Sequence, residues 1–147
     1  MKSFLLKEKH PIIKWGSLPD NIFFEGNIPE GYQLAVSPSD KYIILDVDRH
    51  GDVDGFENIP HLIQMELDET LNYNTKNNGK HYWMYYTGSN ILANKTSGKG
   101  FDLRVGEKGY VVWYPKTDIR NHLNEIRHTS HQMNKWLEKH FSYNIDK

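Results

Sequence analysis

Tyr42-Ile43-Ile44-Leu45-Asp46-Val47-Asp48 is the stretch on which the reading of this chain turns. It is continuously apolar and β-branched until Asp46, with no polar alternation, so Tyr42–Val47 is expected as a strand buried on both faces. Asp46 and Asp48 lie one residue apart, and on a strand positions i and i+2 point the same way. Two carboxylates therefore converge at the strand end. Like charges that close repel unless something neutralises them, and a hard divalent cation does so. A divalent-metal site is the expectation. The competing account is an Asp pair that caps the next turn. For an isolated Asp-x-Asp that account would lead; the apolar run before it puts the pair at the rim of a core, which weakens the account without removing it.

Downstream, Asp46 to Gly55 is a Gly- and Asp-rich loop. Asp46, Asp48, Gly51, Val53 and Glu57 also fall on positions 1, 3, 6, 8 and 12 of a calcium-loop template, with His50 where Asp or Asn belongs. A calcium hand needs a helix before its first ligand, and Lys41–Leu45 has a strand pattern. Ile59–Thr70 is expected as a short helix, with Leu62, Ile63, Met65 and Leu67 among acidic residues. Leu71–Thr75 and His81–Thr87 flank Lys76-Asn-Asn-Gly-Lys80, a hairpin turn in which Asn-Gly tolerates positive φ. A second hairpin is expected from Phe101–Val105 through Gly106-Glu-Lys-Gly109 to Tyr110–Tyr114. From Asp118, a good N-cap, to Phe141, the residues Ile119, Leu123, Ile126, Met133, Trp136 and Leu137 recur at helical spacing. Residues 1–40 are rich in turn formers, with short strands expected at Ile12–Trp15 and Tyr32–Val36. Strands in hairpins followed by helices packed on one side make an α+β fold.

Length and composition bound the rest. At 147 residues, 37% of them hydrophobic, the chain suits one domain with a real core. We expect residues 1–40 as an N-terminal module, 41–115 as the central sheet and 118–141 as a closing helix. Cysteine is absent, which removes disulfides, thiolate zinc sites and Cys nucleophiles together. No run is long and apolar enough for a membrane helix or a signal peptide, and a cytoplasmic location is expected. The net charge of −1 argues against a protein that coats nucleic acid unaided, so any such contact belongs in a local groove.

Other residues carry possible chemistry. His81 follows Gly79 and Lys80 at the hairpin exit. It either pairs across the strands or, in a Gly-x-His turn, donates to a phosphate that the backbone approaches. Asp102, in Phe101-Asp-Leu103 before Arg104, is either salt-bridged to that arginine or a third metal ligand. Glu125-Ile-Arg-His128 and His131 have no second Glu-x-x-His to match, so they are taken as a solvated face. Asn94-Lys-Thr96 fits a glycosylation sequon that has no meaning in a cytosolic protein.

Three blocks then resemble, in order, the catalytic domain of the archaeo-eukaryotic primase superfamily, in particular the bifunctional primase/polymerase (Prim-Pol) domain of phages and plasmids. They are Ile44-Leu-Asp-Val-Asp48 with Gly51; Thr75-Lys-Asn-Asn-Gly-Lys-His81 before Tyr82-Trp83; and Phe101-Asp-Leu-Arg104 followed by Gly109-Tyr-Val-Val112 and Pro115. The resemblance implies an RRM-like antiparallel palm with flanking helices. It assigns Asp46, Asp48 and Asp102 to two Mg²⁺ or Mn²⁺ ions and His81 to the incoming triphosphate. In that chemistry one metal acidifies the attacking 3′-hydroxyl and the other neutralises the triphosphate and the leaving pyrophosphate. Lys80 and Arg104 are placed in sequence to add positive charge, with Lys14 and Lys108 as further candidates. Gly79 stands where the family commonly has Ser, and its backbone amide can take over from a hydroxyl. Trp113-Tyr114 stands where small residues are usual, as core or, less favoured, as a stacking platform for a base.

The expectation that follows is a minimal metal-dependent primase/polymerase acting on a DNA template with (d)NTPs, from a phage or mobile element. Family members often carry a helicase or helical region after the palm, so a separate helicase or replisome subunit is expected as partner. The alternative is a catalytically idle palm kept as a nucleic-acid-binding replisome subunit.

Overall fold

The computed structural model describes residues 1–106, 109–115 and 125–143. In chain order its elements are β1 (Lys2–Lys7), β2 (His10–Pro11), β3 (Tyr32–Ser37), β4 (Ser39–Val47), β5 (Arg49–His50), β6 (Val53–Asp54), α1 (His61–Leu67), β7 (Asn72–Asn74), β8 (Lys80–Tyr85), β9 (Lys95–Thr96), β10 (Phe101–Gly106), β11 (Val111–Val112), β12 (Arg127–His128) and α2 (His131–Phe141). The fold is α+β, as the sequence pattern predicts.

β4 sits inside the larger sheet, whose order is β12-β8-β4-β10-β9 with β7 also on β8. Alternation along β4 explains why both of its faces are covered. Ile43, Leu45 and Val47 join Tyr82, Met84, Phe101 and Leu103 against both helices, while Ile44 points to the opposite face beside Trp83 and Trp113. α1 contributes Ile63 and Leu67, and α2 contributes Met133, Trp136, Leu137 and Phe141 at helical spacing. Ser130 caps α2 by accepting from the Met133 N–H at 3.1 Å, and its own N–H donates to Glu66 of α1 at 3.0 Å. That contact ties the two helices together at the sheet face they share.

The smaller sheet, β11-β3-β1-β2, lies over the other face of β4. Two of the chain's crossings between the sheets lie side by side, and the return from β11 to β12 is separate. β3 runs into β4 through Ser39, at φ 55°, and β10 leaves toward β11 at Gly106, at φ 69°. Ser39 and Gly106 are themselves register partners. Both strands therefore turn the corner together, and one of the two turning residues is the type that accepts positive φ without strain.

Four expectations need correction. The second hairpin does not form, because β10 pairs with β4 and β9 whereas β11 pairs with β3 in the other sheet. The Gly106–Gly109 segment is thus a crossover, and Glu107 and Lys108 lie outside the described residues. The strand expected at Ile12–Trp15 is absent; β1 takes that place in the sheet, and Trp15–Ser17 forms a 3₁₀ turn. Ile59–Thr70 is helical only over His61–Leu67, with Leu62 and Met65 left exposed. The helix expected from Asp118 begins at His131, since Arg127 and His128 pair in parallel with Met84 and Tyr85 of β8. Asp118, Ile119 and Leu123 lie outside the described residues.

The loop after β4 folds back under tight constraint. The Asp48 N–H donates to the Gly100 carbonyl at 2.8 Å, and the Gly55 N–H donates to the Asp48 carbonyl at 2.9 Å. A Cβ at Gly55 would collide with the Gly100 carbonyl and stand 2.9 Å from Val47 Cγ1. Gly55→Ala is therefore expected to destabilise the fold by about 1–3 kcal/mol, because the clash is with backbone that cannot swing away. Urea denaturation should show a lower midpoint with unchanged m.

Candidate active site

Strand register builds the site. Asp102 of β10 is the partner of Asp46, and Asp46 is in turn the partner of His81 on β8. The three side chains form a row across adjacent strands, on the face turned away from α1 and α2. Asp48 continues the same face one step beyond β4. All four residues singled out from the sequence for catalysis are thus drawn to one end of the palm.

The electrostatics of the row are tense. Three carboxylates share a face, and the nearby cations are few. Arg104 Nη2 stands 3.8 Å from Asp102 Oδ2, and His81 Nε2 stands 3.5 Å from Asp46 Oδ1. Asp102 therefore does have the salt bridge to Arg104, and it also faces Asp46. Asp46 Oδ1 is buried and accepts no hydrogen bond among the described residues. A buried carboxylate oxygen whose neighbouring donor, His81 Nε2, stands too far for a good hydrogen bond costs free energy, and a hard cation would satisfy it. The oxygen-rich donor set suits Mg²⁺ or Mn²⁺. As the side chains stand, no three His, Asp or Glu groups among the described residues are gathered into a ready cage. Asp46, Asp48 and Asp102 would have to draw inward around an ion.

Two cavities meet over this row. A small one of about 120 Å³ is lined by Asp46, Asp48, Thr75, Lys76, Asn77, His81 and Tyr114. It opens into a groove of about 700 Å³ between the two sheets, where Asp46, His81, Arg104 and Lys76 face Gln33 and Lys9 of the smaller sheet. That volume falls in the range of small-molecule sites. Tyr114 closes the small cavity, its ring 6.0 Å from that of His81. Burial, with the charges of Asp46 and Asp48 beside it, pushes its phenol above the ordinary tyrosine range.

The nucleotide-binding candidates divide. Arg104 lines the groove. Lys80 does not: the pleat turns it to the helix-covered face, where its ammonium donates to Asn72 Oδ1 at 3.0 Å. Lys76, which the sequence offered only as a turn residue, lines both cavities instead. Lys14 lines neither and precedes the 3₁₀ turn at Trp15. Gly79 has a steric reason to be glycine, since a Cβ there would collide with the Val47 carbonyl and lie 3.3 Å from Asp48 Oδ1. Trp113 is core, packed edge-on against Trp83 and Tyr73, whereas Tyr114 is a wall of the site.

The calcium-loop alternative loses its entering helix, because the segment before Asp46 is β4. Glu57, the residue at the twelfth template position, is exposed in a 3₁₀ turn. No helix among the described residues is long and apolar enough to cross a membrane.

No curated protein matches the chain. The family model for the bifunctional DNA primase/polymerase, N-terminal domain (Prim-Pol) matches residues 7–144. That span takes in β3 through α2, the whole carboxylate row and both cavities. The chain therefore belongs to the Prim-Pol family of DNA primase/polymerase-type nucleotidyltransferases, whose work is in DNA replication.

Proposed function

We propose that this chain is a minimal, metal-dependent primase/polymerase that joins (d)NTPs on a DNA template. The observation that carries the proposal is the in-register row Asp102–Asp46–His81, with the buried Asp46 Oδ1 short of hydrogen bonds at its centre, opening into a groove of nucleotide size. Asp46, Asp48 and Asp102 are the residues that would hold divalent cations. Bound there, such ions would acidify the attacking 3′-hydroxyl and offset charge on the triphosphate.

The remaining work falls to the chain's own groups. Lys76 and Arg104 bring fixed positive charge to the groove, which draws in and orients a polyanionic triphosphate. His81, buried against the sheet, offers one ring nitrogen toward the carboxylate row as a donor to a phosphoryl oxygen. Tyr114 and the sheet behind it narrow the small cavity and limit water there, which strengthens each of these interactions. The opposite groove wall, where Glu8, Lys9 and Gln33 stand among Leu6, Tyr110 and Val112, would give a template strand a mixed polar and apolar surface. With a net charge of −1, the chain has to concentrate its attraction for nucleic acid in such a groove.

Two outcomes test this. Purified protein given Mn²⁺ or Mg²⁺, a primed DNA template and labelled dNTP should extend the primer. Asp46→Asn and Asp102→Asn should each lower the rate by about 10³-fold, a barrier increase of about 4 kcal/mol, and chelation should abolish it. Wild-type protein that shifts labelled DNA but incorporates nothing with either metal would overturn the proposal in favour of a binding subunit. Second, Lys76→Ala should raise the apparent KM for nucleotide about tenfold, the worth of one charge-assisted contact. Lys80→Ala should stay near wild type, because its ammonium lies on the other face of the sheet.

A further inference from the structure

His81 is held from behind by two groups that the family match does not assign. Tyr73 is its register partner on β7, and Trp83 follows it by two residues on the same face of β8. The Trp83 Nε1–H donates to the Tyr73 hydroxyl at 3.0 Å, and that hydroxyl lies 3.2 Å from His81 Nδ1. We propose that Tyr73 is a positioning residue that, itself fixed by the Trp83 indole, locks His81 in the tautomer with its proton on Nε2.

The hydrogen count decides the direction. An indole nitrogen can only donate, so the Tyr73 oxygen is the acceptor in that bond and keeps its own proton to give. Among the described residues His81 Nδ1 is its only acceptor in hydrogen-bond range. Burial, together with the charge of Asp46, pushes the Tyr73 phenol well above the ordinary tyrosine range, so it keeps that proton. Nδ1 then accepts, and the neutral imidazole carries its hydrogen on Nε2, the nitrogen 3.5 Å from Asp46 Oδ1. The opposite tautomer is doubly disfavoured. It would leave the phenol hydrogen without an acceptor in a packed site, and it would aim an Nε2 lone pair at the Asp46 carboxylate. Packing holds the phenol in place, with the Tyr73 ring edge-on to His81 at 5.3 Å and to Trp113 at 5.0 Å. The consequence for catalysis rests on the proposed nucleotidyl transfer: of the two neutral tautomers, only the Nε2–H form presents a donor to a phosphoryl oxygen that enters the groove.

Long-range ¹⁵N–¹H correlation spectra of the full chain, followed to alkaline pH until the His81 ring signals no longer change, read the tautomer without any need for activity. The His81 signals are identified by their loss in His81→Gln. We expect wild type to show protonated Nε2 and bare Nδ1. Tyr73→Phe, which keeps the ring, should give a mixture of the two tautomers and raise the nucleotide KM about tenfold, with kcat changed far less. Protonated Nδ1 in wild-type protein would overturn the proposal, and this measurement needs no variant to fold. A Tyr73→Phe protein with the wild-type tautomer and unchanged KM would overturn it equally. If the spectra agree but no variant, nor wild type, transfers nucleotide, the polymerase reading fails and the assignment of the tautomer stands.

Discussion

Everything in this molecule depends on β4 having a hydrogen-bonded partner along each edge and a packed layer over each face. An inner strand of this kind has no freedom to slip, because a shift by one residue would send Leu45 and Val47 into the groove and Asp46 into the helix-covered core. The apolar residues thus fix the carboxylates. Ile43, Leu45 and Val47 are each buried to within a few per cent, and their burial against α1 and α2 sets the phase that leaves Asp46 facing the groove. The same phase propagates sideways, so Asp102 and His81 arrive beside Asp46 with no contact of their own needed to bring them there.

Much of this was legible in the sequence because it is local or periodic. The two-sided strand, the Asn-Gly turn with Asn78 at φ 64°, and the shared face of Asp46 and Asp48 all follow from short-range rules. What the sequence hid lies in long-range pairing. Gly106 to Gly109 has the chemistry of a hairpin turn, yet the strand after it finds β3, and no local signal tells a hairpin from a crossover. Ile126 falls at helical spacing with Met133, but Arg127 and His128 gain ladder bonds on β8, and tertiary pairing overrides the pattern. Lys80, expected beside the triphosphate, adjoins His81 in sequence; the pleat gives adjacent residues opposite faces and so turns its side chain away from the groove. Tyr73 was within reach too, since a hairpin through Asn77-Asn78 pairs it with His81.

Glycine has an unusual share in the site. Gly55, Gly79 and Gly100 surround the end of β4 so closely that none has room for a Cβ. The backbone bonds of Gly100 and Gly55 clamp Asp48 on both sides, at its N–H and at its carbonyl. The second carboxylate lies beyond the last ladder bond of its strand, where chain ends fray, and these close approaches restore the order that the sheet no longer supplies.

The corner at Ser39 and Gly106 has a separate consequence. Two connections between the sheets, β3 to β4 and β10 to β11, bend at this one paired position, so it acts as a spine that joins the sheets like the pages of a half-open book. The carboxylates are printed on one page, near its outer margin, while Gln33 faces them from the other. The turn at the spine, together with the core packed between the pages, bears on how far apart they stand at that margin. The width of the groove thereby depends in part on residues that do not line it.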